Sequence, residues 1–199
     1  MAKREEMITT RVTWGPLGHC FWLAIFIVAG VLYGPPQLKA QDPKPTEYQV
    51  KAVYLFNFAR FVAWPGRIAA AGREPFNVCV LGQDPFGPSL DATVSGETID
   101  GVHVAVKRIS QPPEAMSCRV LFISSSEDGH LKEILTALDK RSVVTVSDIP
   151  WFARSGGMIQ FLLEGNRVRF EVNVAALDHA GLSLSSEVLK LAINVRKTP

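Results

Sequence analysis

Residues 76–94, Phe-Asn-Val-Cys-Val-Leu-Gly-Gln-Asp-Pro-Phe-Gly-Pro-Ser-Leu-Asp-Ala-Thr-Val, decide the fold. Phe76–Leu81 is a continuous apolar run bounded by turn residues, the pattern of a buried strand. Gly82–Pro88 reads as a loop and Ser89–Val94 as a short helix. Val102–Ile109 (VHVAVKRI) then alternates, as a half-exposed strand does. Strand, loop, helix, strand is the repeating unit of a parallel sheet, because parallel neighbours need a crossover.

The unit recurs downstream. Cys118–Ile123 is a second buried-type strand, and Ser124-Ser-Ser-Glu127 opens a helix running to about Asp139, with Leu131, Ile134, Leu135 and Leu138 on one face. Ser142–Val146 is a third strand, and Trp151–Arg154 a turn or short helix. Met158–Leu163 and Arg167–Val172 flank Glu164-Gly165-Asn166 and predict a β-hairpin. Ser185–Val195 reads as a closing helix. Upstream, Thr46–Ala63 reads as the first helix, capped by Thr46 and stopped by Trp64-Pro65-Gly66. Its repeat at Val50, Val53, Tyr54, Asn57, Phe58, Phe61 and Val62 draws one apolar face, with Phe56 beside it, directed to the core or to a partner. The expected fold is an α/β sandwich whose mixed, mostly parallel sheet of about six strands is flanked by helices.

Residues 1–40 read as an export signal. Lys3, Arg4 and Arg11 make a basic start, and Cys20–Tyr33 (CFWLAIFIVAGVLY) is an apolar run too short for a membrane span, which needs about 20 residues. Leu38-Lys39-Ala40 offers a cleavage site after Ala40. An uncleaved anchor is the alternative, because Val12–Leu38 carries no charge and extends the run. Residues 41–199 are then one exported domain of ordinary size. Removing the leader takes four basic and two acidic residues from totals of 21 and 19, which leaves 17 of each. A neutral domain with no basic patch argues against nucleic acid as a partner.

The exported part keeps two cysteines, Cys79 and Cys118, each in an apolar run. In an oxidising compartment they suggest one disulfide; two buried free thiols are the alternative. Their spacing excludes a CxxC redox pair, and no histidine lies near either to complete a zinc site. His103, His130 and His179 share no metal-ligand spacing, so no metal is expected. Gly82 and Gly87 lie five apart as in a phosphate loop, but the Lys-Ser/Thr that should follow is missing and Asp84 would face the phosphate. Ser124-Ser125-Ser126 lacks a GxSxG turn and reads as a helix cap. No catalytic residue or cofactor site emerges.

Arg167, Arg169, Glu171 and Asn173 alternate with Val168, Phe170 and Val172, so one strand face carries two guanidinium groups and a carboxylate. Arginine suits planar anion recognition. This face is a ligand or partner surface, or a solvated face with cross-strand ion pairs. Tyr54, Phe58 and Trp64 are further candidates for an interaction surface, on the aromatic load of the first helix.

Together these blocks resemble the YfiR family of exported bacterial proteins, also called YfiR/HmsC-like. The resemblance rests on Val50–Pro65 (VKAVYLFNFARFVAWP), Cys79–Gly87 (CVLGQDPFG), Cys118–Ser124 (CRVLFIS), Val144–Asp148 (VTVSD), Phe152–Ile159 (FARSGGMI), Asn166–Asn173 (NRVRFEVN), Ala180–Ser186 (AGLSLSS) and Leu189–Ala192 (LKLA). It implies a non-enzymatic periplasmic protein without a cofactor. It implies that the protein binds the periplasmic domain of an inner-membrane diguanylate cyclase and represses it, lowering cyclic-di-GMP and biofilm formation. The membrane is then reached only through that partner. The resemblance also implies a homodimer, and Cys79 with Cys118 fits the bridge of the family. A second cysteine pair that some members carry nearer the C-terminus is absent here. The alternative is a periplasmic small-molecule receptor, using the Arg/Glu hairpin or a pocket lined by Tyr54, Trp64 and Trp151.

Overall fold

The computed structural model describes residues 44–64 and 74–197. The readings of residues 1–40 and of Pro65-Gly66 lie outside the described residues. Helix α1 (Glu47–Phe61) starts at a capping box, in which Thr46 and Gln49 each bond the other's backbone N–H. Its end is set by β1 (Val62–Ala63), which leaves helical geometry at Val62 to pair with β9 (Ser183–Leu184). Then follow β2 (Phe76–Leu81), α2 (Pro88–Val94), β3 (Thr98–Ile99), β4 (Val102–Ile109), β5 (Val120–Ile123) and α3 (Leu131–Ala137). The chain closes with β6 (Val144–Ser147), β7 (Ile159–Glu164), β8 (Arg167–Asn173), α4 (Val174–His179), β9, α5 (Ser186–Leu191) and β10 (Asn194–Arg196).

Eight strands form the main sheet in the order β10-β8-β7-β6-β5-β2-β4-β3. The five strands β4, β2, β5, β6 and β7 are parallel; β8 runs antiparallel to β7 and β3 antiparallel to β4, while β10 lies parallel to β8. The mixed, mostly parallel α/β architecture matches the expectation; the strand number is eight, not about six. The extra strands are short edge pieces, β3 and β10, which carry little periodicity.

Alternate residues of the central strands feed two cores. Val78 and Val80 of β2, Val120 and Phe122 of β5, and Val144 and Val146 of β6 pack with α1 and α2 on one face. Cys79, Leu81, Leu121 and Ile123 point to the other face, under Leu131 and Ile134 of α3. Burial on both faces explains why these strands read as unbroken apolar runs. The polar members of β6 are buried with partners: Ser147 Oγ donates to Ile123 O at 2.7 Å, and Thr145 Oγ1 accepts from Met158 N at 3.1 Å.

Three expectations are corrected. The C-terminal segment is not one helix over Ser185–Val195, because α5 stops at Leu191 and β10 joins β8 in parallel. The segment 124–139 splits into a 3-10 turn at Ser125–His130 and α3. On α1 the buried face runs through Ala52, Leu55, Phe56, Phe58 and Ala59, while Val53 (49% exposed) and Phe61 (40%) face out.

Cys79 and Cys118 form the disulfide, with Cα atoms 5.9 Å apart and a sequence separation of 39. Both cysteines are buried in the second core, next to Leu121 and Ala115. A loop of this length raises stability by about 4 kcal/mol in the chain-entropy account. Cys79→Ser or Cys118→Ser should therefore lower the unfolding free energy by about 2–5 kcal/mol. The denatured, unreduced wild-type protein should show no reactive thiol at these positions; two would contradict the bridge.

Candidate interaction site

The parallel strands follow the doubly wound 2-1-3-4-5 order when read as β4-β2-β5-β6-β7, which puts a switch point between the C-terminal ends of β2 and β5. Such folds usually bind ligands there. In this protein the chain's own side chains close the crevice. Gly82 has φ +86°, and any Cβ on it would overlap Ser126 and Glu127. Ser126 Oγ accepts from Gln83 N at 3.0 Å. Arg108, at the end of β4, binds Asp84 through Nε at 3.0 Å, Asp91 through Nη1 at 2.8 Å and Gly87 O through Nη2 at 3.0 Å. Hydrogen bonds from Arg108 hold the Asp91 carboxyl below the usual carboxylate range. The Gly82–Gly87 loop is thus fastened to β4 by a guanidinium, and its aspartate is already neutralised.

Beside this crevice, on the α1 face, lies a charged cluster absent from the sequence expectations. Lys51 is 2% exposed. Its Nζ lies 2.6 Å from Asp148 Oδ2 and 2.5 Å from Glu47 Oε1, and sits 4.4 Å from the centre of the Tyr48 ring. Tyr48 donates its hydroxyl to Asp148 Oδ2 at 3.0 Å. Burial, reinforced by the Asp148 carboxylate, pushes the Tyr48 phenol well above the ordinary tyrosine range. Asp148 directly follows β6, so the cluster pins the helix to the sheet. Two clues were available in sequence: Glu47 and Lys51 are spaced i, i+4, and Asp148 ends a buried strand.

The candidate residues separate into two groups. Phe58 is fully buried, and its ring packs on Phe161 and Phe170 at 5.8 and 5.1 Å; it is core, not surface. Tyr54 is half-buried, with its ring centre 5.4 Å from that of Phe170. Trp64 packs edge-on against Phe76 at 5.5 Å and donates Nε1–H to Ala59 O at 3.4 Å. These aromatics serve the interior because the α1 face is rotated relative to the expected stripe. Asn173 is also structural: Nδ2 donates to Ala153 O at 2.9 Å, and Oδ1 accepts from Ala176 N at 3.1 Å to cap α4. Trp151 stands 62% exposed at φ +64° with Arg154 stacked on its ring at 4.6 Å.

Arg167, Arg169 and Glu171 do share one face of β8. Strand pairing sets Arg167 opposite Glu164, Arg169 opposite Leu162 and Glu171 opposite Gln160, with Asn194 of β10 on the other side of Glu171. Arg167 and Arg169 are exposed, and Leu162 and Glu171 half-buried. Arg169 Nε is 3.9 Å from Glu164 Oε2, and Asn194 Nδ2 donates to Glu171 Oε2 at 3.3 Å. The opposite face of the same strand is committed to the core through Val168, Phe170 and Val172. The result is a flat, charged patch on a rigid three-strand support.

Among the described residues no group of three or more His, Cys, Asp or Glu is placed to hold a metal ion. None of the described helices is long and apolar enough to cross a membrane. The molecule is a doubly wound α/β domain with its usual ligand crevice filled and one end of its sheet exposed. A family model described as YfiR/HmsC-like matches residues 48–193, and the chain belongs to that family. A crystal structure of a conserved domain protein from Vibrio cholerae O1 biovar El Tor str. N16961 has a similar fold at 9% identity and a TM-score of 0.51. That match covers 76% of this chain and 60% of the Vibrio chain, so this chain spans less than two thirds of that one.

The ion cluster yields an asymmetric prediction. Removing one partner of a buried pair costs about 3–5 kcal/mol when the other stays buried and uncompensated. Asp148→Ala leaves the buried Lys51 ammonium only the partly exposed Glu47 carboxylate and should cost about 3 kcal/mol. Lys51→Met leaves Asp148 a route to water and should cost less. Urea unfolding of both variants checks the order; equal losses would contradict it.

Proposed function

We propose that this protein is an exported regulatory module. It acts in the periplasm by binding the periplasmic domain of an inner-membrane diguanylate cyclase and holding that enzyme inactive, so that cyclic-di-GMP and biofilm formation fall. The observation that carries this reading is family membership over residues 48–193, nearly all of the folded part. The charged patch of Arg167, Arg169 and Glu171 supports it as the contact surface. Rigid strands fix the spacing of these side chains, so little ordering entropy is lost on docking. The protein itself carries out no chemistry and uses no cofactor in this account.

Repression requires differential affinity for the inactive cyclase. Moving a two-state enzyme from 1:99 to 99:1 takes about 5.5 kcal/mol, within reach of a standard interface. Val53 and Phe61, exposed on the outer side of α1, are the residues for self-association into a homodimer. Residues 1–40 serve as the signal that delivers residues 41–199 to this compartment.

Deleting the gene should raise intracellular cyclic-di-GMP and surface attachment. The intact gene should restore both, whereas a copy lacking residues 1–40 should restore neither. Arg169→Glu and Glu171→Lys, if they melt at the wild-type temperature, should weaken repression several-fold. Unchanged cyclic-di-GMP on deletion would overturn the reading.

A further inference from the structure

A cavity of about 320 Å³ opens at the opposite pole of the sheet, at the N-terminal ends of β2, β4, β5 and β6. Val102 and Met116, the latter 45% exposed, give it an apolar side over the buried Phe76 and Val143. Arg119 and Arg141 bring two cationic residues to the same lining, with Ser117 and Ser142 beside them. Among the described residues neither arginine makes an ion pair, while Arg108 and Arg169 do. Glu74 is the one carboxylate in the lining, so the wall carries a net positive charge. Lys107 adds to it from the side, donating to Ser117 Oγ at 3.0 Å.

Arg119 is not a loose surface cation. Its backbone N donates to Asn77 O at 2.9 Å and its carbonyl accepts from Val144 N at 2.8 Å, which fixes it between β2 and β6. Asn77 Nδ2 in turn donates to Ser117 O at 2.9 Å, tying the cavity rim to β2. The site is therefore held by the sheet. Cys118, one half of the disulfide, also lines it.

We propose that this cavity binds a small amphipathic organic anion, with an apolar body and a single carboxylate or sulfonate. The volume falls at the lower end of ligand pockets, about 300–1,000 Å³, which fits a small molecule. A guanidinium fork matches a carboxylate through two parallel hydrogen bonds. The apolar wall takes the body, and the net charge selects an anion over a neutral analogue. Because Cys118 lies in the wall, an occupant also shields the bridge from reductant. The inference stands independently of the cyclase reading.

Octanoate and benzoate are the probes, titrated calorimetrically into the exported, disulfide-bonded protein, with octanamide as the neutral control. One molecule of at least one of the anions should bind per chain, and octanamide should bind at least tenfold more weakly. Arg119→Ala and Arg141→Ala should each weaken binding about tenfold, with Arg119→Lys between. Saturating ligand should slow dithiothreitol reduction of Cys79–Cys118 about fivefold in the wild type and much less in the variants. Should Arg119→Ala fold poorly, Arg141→Ala, altered at an exposed residue, keeps the test. No binding of either anion at 10 millimolar ligand, on the order of a −2.7 kcal/mol limit, would overturn the proposal. So would binding that neither arginine variant changes, or equal binding of octanamide.

Discussion

Burial of both faces of β2, β5 and β6 is the constraint on which the rest of the molecule depends. Each of these strands sends alternate side chains into two separate cores, and each core needs its own helical cover. Full burial of a Val, Leu, Ile or Phe side chain is worth about 1.5–3 kcal/mol. That requirement fixes α1 and α2 on one side and α3 on the other, and it forces crossovers that make the sheet parallel. The Cys79–Cys118 bridge adds its cross-link inside the second core, where β2 and the start of β5 already lie side by side.

The candidate surfaces lie where this double burial stops. Towards the turn of the β7–β8 hairpin one face is no longer covered and displays Arg167 and Arg169, with Glu171 half-buried beside the buried Gln160 and Asn173. At the switch point, where doubly wound folds commonly hold ligands, Arg108, Asp84, Ser126 and Glu127 fill the space. Lys51, Asp148 and Tyr48 then tie α1 to the end of β6 with a cluster whose charges are mutually satisfied. A rigid body with a closed crevice and an open, charged sheet end is suited to docking.

How much of this could be read from sequence depended on what sets each element. Strands β2 and β4 were legible to the residue because their period and bounding glycines agree. The hairpin was legible from Gly165-Asn166 between two β-type runs. The face of α1 was not, because aromatics surround the helix and the buried Lys51 breaks the apolar pattern; its pairing with Asp148, 97 residues away, adds to the local Glu47 contact and is invisible in sequence. β10 was hidden because Asn194–Arg196 is held by the neighbouring β8 and not by its own propensity. Asn173 continued the alternation of Arg167, Arg169 and Glu171, yet the start of α4 turned it inward as a cap. The burial of Phe58 was hidden for a related reason: a sequence shows the load of rings but not which ones meet Phe161 and Phe170.

The central claim is that the exposed end of the sheet is the surface that meets a membrane partner. Hydrogen–deuterium exchange on residues 41–199, alone and with the detergent-solubilised cyclase proposed as partner, tests it most directly. The account predicts added protection over β7, β8 and β10, with the α2–β4 side of the sheet unchanged. Protection confined to α2, β3 and β4, or no change anywhere at saturating cyclase, would contradict it.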